Sequence, residues 1–556
     1  MAAPWPAQQR PDGQYRNWLG GGTRYGEAMM GYALLQTGLR TKSGTYLRSG
    51  LRAIGWTASR PAGYRSRESA LENFAMASAY NLVRRRLSGD AVFRRIRPAW
   101  EGFLRRITPV GQFFYQPRLD RFSNHYVIEA AGTLELLRTG LRSPRRDAIL
   151  GGQRARASAG ARRMLLEFVP GYVARTGGIL SDRPDAPLSY QGLTIGFYAR
   201  ALELLGRRTT SRARTALQRA VKASWTFTAP DGDSGYYGRS SEEGWGLAGA
   251  AYAAEAAARL PGSSAGWDTR YRALGERVLF RLRDVHGVGS NGLFVVPALR
   301  QGKLARRAVD GTPATSFAAL ALVLSEWGLR AMAPGGRRIG ILAADRPVRA
   351  VLGTGEARFA VVRRARTWLA VRMTRSVDRP NDLRYDFGLV AYKTQRDGAW
   401  RDVLRARPRV TVGRDSAGPV LRAGSAAGLP FGKRIRTARS GAVTVIGGFR
   451  TAAGQVLRRG VRFTFTPAGR CVREAVVVRR GDRIEQSFFL RTAAGPARRT
   501  SSSLTDGDQE ITASQPFATT IGGRYTSAID AKLGRARLRF TVRRAGRLVT
   551  TVCPGT

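Results

Sequence analysis

Asn124 and His125 stand side by side in Phe122-Ser-Asn-His-Tyr-Val-Ile-Glu-Ala-Ala131, where the pattern predicts the start of a helix. Tyr190 follows His125 by 65 residues, in Asp182-Arg-Pro-Asp-Ala-Pro-Leu-Ser-Tyr-Gln-Gly-Leu-Thr194. The chain has only 2 histidines, so one placed beside an amide at a helix start carries information. These three side-chain types suffice to eliminate across the C4–O bond of a uronic acid. The carboxamide neutralises the sugar carboxylate and so acidifies the C5 proton. His or Tyr removes that proton, and Tyr can hand one to the departing oxygen. The competing reading is a helix cap beside a packed histidine.

A second group is denser. Asp231-Gly-Asp-Ser-Gly-Tyr-Tyr-Gly-Arg-Ser-Ser-Glu-Glu-Gly-Trp245 mixes acids, aromatics and one arginine between two predicted helices. Arg239 has the planar fork that grips a carboxylate through two hydrogen bonds. Tyr236, Tyr237 and Trp245 are candidates to stack on pyranose faces. Arg121 and Arg183, beside the Asn-His and Tyr segments, are candidate cations for the same cleft. The rival chemistry is hydrolysis, with Asp233 and Glu242 or Glu243 as acid and base. A third reading is structural: a Gly/Asp turn, then a serine cap with glutamates behind it. The loop Trp18-Leu-Gly-Gly-Gly-Thr-Arg-Tyr25 follows no strand and lacks the spacing of a phosphate cradle. No nucleophile elbow with a following histidine is present, so Ser/His/Asp catalysis has no support.

Composition narrows the partners. The chain of 556 residues carries 93 basic and 39 acidic residues, a formal charge of +54, which favours a polyanion. Zinc-finger spacing, RNP-like aromatics and a long basic helix are all missing, so an acidic polysaccharide or anionic envelope is favoured over nucleic acid. A GC-rich coding sequence would raise Arg, Ala and Gly together and explains the excess equally well. No run of apolar residues reaches membrane-spanning length, and the first residues lack the pattern of a secretory signal. Cys471 and Cys553 either join in one disulfide in an oxidising compartment or remain buried thiols. No cofactor is implied, and the β-rich region has no histidine cluster for a structural metal. The number of subunits is not encoded in any of these patterns.

The elements that would position these residues read as helices over the first 330 or so positions. Apolar residues recur at three- and four-residue spacing in 25–39, 69–83, 126–137, 193–205, 247–260 and 316–327. More basic helices, such as 46–54, 91–107, 146–168, 212–225 and 267–282, alternate with them. Leu34-Leu-Gln-Thr-Gly-Leu-Arg40 echoes Leu136-Leu-Arg-Thr-Gly-Leu-Arg142. Taking Gly31, Tyr80, Gly132, Tyr198, Tyr252 and Leu320 as equivalent points gives a repeat of roughly 50–65 residues, the length of a helical hairpin with a variable loop. The fold class expected is α+β multidomain: an α/α toroid of about six helical hairpins over 1–332, then an antiparallel β-sandwich over 338–556. Short β-branched runs bounded by Gly, Pro and Asp, such as Thr367–Met373 and Val461–Thr466, mark the second part. Arg379-Pro-Asn-Asp-Leu-Arg-Tyr385 reads as a polar loop there, either a plain hairpin connection or a loop reaching the cleft.

This order of domains, with Asn124-His125 on a toroid helix and Tyr190 in a loop leading into the next apolar helix, resembles the heparinase II/III and alginate lyase group of polysaccharide lyases. The resemblance implies β-elimination on an acidic glycan outside the cytoplasm. It gives Asn124 the uronate carboxylate, His125 an assisting or basic role, and Tyr190 the role of base, acid or both. The group often adds a histidine from late in the chain. The only other one here is His286, which reads as a helix C-terminal residue in a Gly turn. The alternatives are a glycoside hydrolase on the same toroid using Asp233/Glu242, or a protein that binds acidic glycan without cleaving it.

Overall fold

The computed structural model describes residues 1–16, 25–60, 69–107, 122–141, 153–182, 186–262, 264–289, 292–302, 309, 314–332, 341–376, 382–408, 416–491 and 498–555. Among the described residues, twelve helices of eight residues or more form the first part: α1 (Gly26–Thr41), α2 (Gly44–Ala58), α3 (Ser69–Val83), α4 (Ala91–Arg106), α5 (Asn124–Arg138), α6 (Gln153–Arg163), α7 (Val169–Thr176), α8 (Leu188–Leu205), α9 (Ser211–Phe227), α10 (Gly244–Ala258), α11 (Ala265–Arg281) and α12 (Ala314–Ala331). Side-chain caps start several of them. Ser43, Asp90, Ser123 and Thr210 each accept from a backbone N–H of the first turn.

Six helices pack in a ring. α1 meets α3, α3 meets α5, α5 meets α8, α8 meets α10, α10 meets α12, and α12 returns to α1. These are the six apolar segments of the sequence, and α8 and α10 are buried almost all round. The basic helices α2, α4, α9 and α11 lie outside. Closure is held by α12: Glu326 accepts from Thr37 at 2.6 Å and from Arg40 at 2.7 and 2.9 Å. The axis is filled with aromatic rings rather than left open. Phe74, Phe197 and Trp327 meet edge to face at 5.1–5.5 Å, and Tyr252 joins Trp327 at 5.3 Å.

The inner helices run the same way. Early residues meet early ones, as Ser189 does Gly246, and late ones meet late ones, as Asn81 does Glu135 and Arg200 does Glu135. Their N-termini therefore gather at one end of the ring, where the helix dipoles present partial positive charge. The α8–α10 contact is the closest. A Cβ on Gly192 would lie 2.0 Å from the Gly246 carbonyl oxygen, so only glycine permits this approach.

The second part opens with an antiparallel sheet of five strands, β1 (Val348–Leu352), β2 (Phe359–Arg364), β3 (Thr367–Arg372), β4 (Gly388–Arg396) and β5 (Ala399–Asp402), in sequential order. One face packs on the toroid: Phe359, Trp368 and Tyr385 meet Phe227, Tyr236 and Tyr237. The other face shares a core with a twelve-stranded antiparallel sheet from Val420 to Pro554, through Leu369, Val371, Phe463 and Phe540. This is the sandwich expected from the alternating runs. Cys471 and Cys553 form a disulfide between two neighbouring strands of the large sheet, which settles the choice left open by the sequence.

Candidate functional site

The site grows from two loops at the end of the ring where the inner helices begin. The first, before α8, is pinned by Gln191. Its side chain accepts from the Leu180 N–H and donates to the Gly178 carbonyl at 3.0 Å and the Ala220 carbonyl at 3.3 Å. Ser181 donates to the Pro187 carbonyl at 2.6 Å. The second loop, before α10, holds Ser240 and Glu242 at φ of 56° and 59°. Such left-handed conformations cost about 1 kcal/mol or more for residues other than glycine and persist only where the surroundings impose them. One imposing contact is with the β part. The Arg239 N–H donates to the Tyr385 hydroxyl at 2.9 Å. The loop ending at Tyr385 thus reaches the toroid and is more than a hairpin connection.

Asp182 joins the two loops to α5. One carboxylate oxygen accepts from the Asn124 N–H at 2.8 Å, the first N–H of the helix. The other is ion-paired to Arg239. The Arg239 guanidinium lies 4.3 Å over the Tyr190 ring, and Tyr190 meets Trp245 edge to face at 5.0 Å. A continuous set of contacts therefore runs Asn124–Asp182–Arg239–Tyr190–Trp245. His125 follows Asn124 on the same helix, half-buried, its N–H donating to Ser123. Burial pushes the Tyr190 phenol up to about 12, while the Arg239 charge pulls it down and Asp182 and Glu243 oppose that pull. At neutral pH the hydroxyl keeps its proton.

Solved structures share this architecture. Heparinase III superposes with a TM-score of 0.53 at 10% identity, over 98% of this chain and 80% of that one. A mutant of Streptomyces coelicolor A3 chondroitin AC lyase gives 0.52 at 14% identity, over 99% and 78%. Paenibacillus xanthan lyase gives 0.51 at 10%, covering 99% of this chain and 55% of that one. This chain has the heparinase-like fold of toroid and sandwich. No protein-family model matches its sequence, and no curated protein does.

Within the heparinase-like fold the second constellation divides. Arg239 lies over the Tyr190 ring and is 28% exposed, but its guanidinium is engaged by Asp182. Three expected sugar platforms are corrected. Tyr236 packs edge to face on Trp368 and donates to the Phe227 carbonyl, and Tyr237 stacks on Phe359, so both lie in the core between toroid and sheet. Trp245 is 1% exposed, wedged between Tyr190 and Phe317, with its indole N–H on Glu243 at 2.5 Å. None offers a ring face to a sugar. Arg121 and Arg183 lie outside the described residues.

Asp233 and Glu242 are buried in a cluster of ion pairs. Arg281 forks onto Glu242 at 2.8 and 3.0 Å and reaches Asp231 at 2.5 Å. Lys393, from β4, touches Asp402 at 2.6 Å, Asp231 at 2.9 Å and Asp233 at 3.1 Å. His286 is fully buried. Its Nδ1–H donates to the Phe294 carbonyl at 2.9 Å, and its Nε2 lies 3.6 Å from Glu242. It is a packed member of this cluster, at the end of a widened last turn, Leu282–His286. Burial and the Glu242 charge push Asp233 well above the carboxylate range. For Glu242, burial is outweighed by Arg281 and it stays well below. Burial thus favours the protonated form of Asp233, and Arg281 the charged form of Glu242. The two have unlike states, as an acid and base require, but no face is open to a sugar.

Two residues escaped the sequence reading. In the sequence Asp182 is only the first residue of the segment leading to Tyr190, and the fold places it between helix and arginine. Glu129 lies one turn after His125 on α5, the i,i+4 spacing that shares a helix face. Burial raises its carboxyl to about 7, and one of its oxygens has no hydrogen-bond partner among the described residues. The spacing from His125 to Glu129 was visible in the sequence and could have drawn attention to it.

Proposed function

We propose that this protein is an extracytoplasmic polysaccharide lyase that cleaves an acidic, uronate-containing glycan by β-elimination. The observation that carries the reading is the set Asn124–Asp182–Arg239–Tyr190, held at the end of the ring where six helix N-termini converge. The Asn124 carboxamide receives the sugar carboxylate and stabilises the charge that develops on it. His125 takes the C5 proton. The C4–O bond breaks as the C4–C5 double bond forms, and Tyr190 donates its proton to the leaving oxygen. A phenol held at about 12 enters this cycle as the acid, its protonated form being the resting one. Asp182 holds Arg239 and the start of α5 in register. The disulfide supports an oxidising compartment.

The test is turnover on a panel of uronate polymers, read by ultraviolet absorbance of the new double bond and by reducing ends. A lyase gives both, a hydrolase gives reducing ends alone, and a binding protein gives neither. Asp233→Asn discriminates further. Burial pushes Asp233 toward its protonated form, which the amide mimics, so the variant should keep wild-type turnover. Loss of reducing-end formation in that variant would support the hydrolase.

A pH profile tests Glu129. A carboxyl raised to about 7 by burial is neutral below that pH and charged above it. A charged Glu129 repels the incoming uronate, so kcat/KM should fall as pH rises through about 7. The stability it contributes also fades in that direction, because its folded value lies above its unfolded one. Glu129→Gln should remove this limb from the profile. A limb that persists in the variant places the titration elsewhere.

A further inference from the structure

We propose that the outer face of the large sheet carries a second binding site, for one anionic sugar unit of a polysaccharide chain. Three neighbouring strands build it: Ala426–Thr437, Val443–Arg450 and Val456–Ala468. Pairing between the first two breaks step between Ile446 and Gly447, which leaves Lys433 as an extra residue. Pairing between the second and third breaks between Gly447 and Gly448, which leaves Gly460 as an extra residue. Two bulges thus face each other across one glycine pair. Bulges re-aim side chains and bend a sheet, and two opposed ones hollow it.

The hollow has a volume of about 320 Å³ and is lined by Phe431, Lys433, Arg434, Ile446, Gly447 and Arg459, with Gly460 at its edge. That size is within the range of small-ligand pockets. Its floor is apolar or bare backbone. A Cβ on Gly447 would lie 1.8 Å from the Phe431 carbonyl oxygen, so no side chain can fill it. Its rim is cationic: Lys433, Arg434 and Arg459 are exposed, and among the described residues none is paired with a carboxylate. Their neighbour Arg458, by contrast, is ion-paired to Asp482 at 2.5 Å. Arg434 and Arg462 flank Ile446 across the three strands and continue the positive row beyond the hollow.

Three like charges around an apolar floor repel one another, and an anion relieves that repulsion. A pyranose with a carboxylate or sulfate matches both surfaces, its C–H face on Ile446 and its charge on the rim. A chain continuing from it would follow the Arg434–Arg462 row. The site is independent of the elimination reaction, so binding here survives even if the lyase reading fails.

The experiment titrates the full-length protein by calorimetry with polygalacturonate, dextran sulfate, neutral dextran and a single-stranded oligonucleotide, at two salt concentrations. The triple variant Lys433→Ser/Arg434→Ser/Arg459→Ser should bind the two acidic polysaccharides about 10-fold or more weakly, with a shallower salt dependence. A charge-matched control, Arg207→Ser/Arg208→Ser/Arg212→Ser on the outside of the toroid, should bind like wild type. Ile446→Trp fills the hollow without altering charge and should weaken binding too. Unchanged melting temperatures show that all three variants fold. Equal losses in the two triple variants would mean diffuse charge and overturn the proposal. So would wild-type binding by Ile446→Trp, or equal affinity for neutral dextran or the oligonucleotide.

Discussion

Tyr190→Phe should lower turnover by about 10²–10⁴-fold, the range for losing a general acid, while affinity for the polymer stays within a few-fold of wild type. The substitution removes one hydroxyl and leaves the ring between Arg239 and Trp245. The hydroxyl also interacts with the Ser240 side chain, so a stability cost of about 0.5–1.5 kcal/mol is expected. That is too little to unfold the domain. Steady-state kinetics should show the loss in kcat with KM nearly unchanged, because the missing interaction serves the transition state rather than the bound substrate. An active Tyr190→Phe protein alongside a dead Asp233→Asn protein would reverse the ranking and favour the hydrolase.

Arg281→Met should destabilise the protein by about 3–5 kcal/mol, the cost of leaving buried carboxylates without their cation. This is a large share of the roughly 5–15 kcal/mol that holds a domain together. Arg281 is fully buried and contacts Asp231, Asp233 and Glu242, and Lys393 alone cannot compensate all of them. The pH dependence has a definite sign. Asp231 and Glu242, held low in the folded protein, contribute stability above the ordinary carboxylate range and lose it as pH falls through their depressed values. Without Arg281 both rise and accept protons more readily when folded. The gap between variant and wild type should therefore narrow between neutral pH and pH 4–5. Urea unfolding at both ends of that window measures it. A gap that does not change with pH would mean that Arg281 acts through packing alone.

The fold was legible because the inner helices are mostly apolar runs with few exposed positions, and strands such as Val443–Arg450 and Cys471–Val478 alternate between more and less buried residues. Gly31, Tyr80, Gly132, Tyr198, Tyr252 and Leu320 all fall on the ring helices. The site was half legible. Asn124, Tyr190 and Arg239 carry unusual side chains at loop–helix junctions, and contacts do join them. Tyr236, Tyr237 and Trp245 were misread because an aromatic in a Gly-rich loop can face a ligand or a core. The partners that bury the two tyrosines, Phe359, Trp368 and Tyr385, lie more than 100 residues further on. The burial of Asp233 and Glu242 among ion pairs was hidden for the same reason. Arg281 is an ordinary residue near a helix end, and Lys393 sits in an alternating strand, so neither announces an ion cluster.

Lys393 also sets an order of events during synthesis. It lies about 60 residues beyond the end of α12 at Ala331, so the whole ring leaves the ribosome before its lysine does. At roughly 5–20 residues per second the interval is several seconds. During it Asp231 and Asp233 have Arg281 but not Lys393, and Arg239 has no Tyr385 to receive its N–H. The nascent ring is thus an unfinished object whose working loop hardens only when the first sheet arrives.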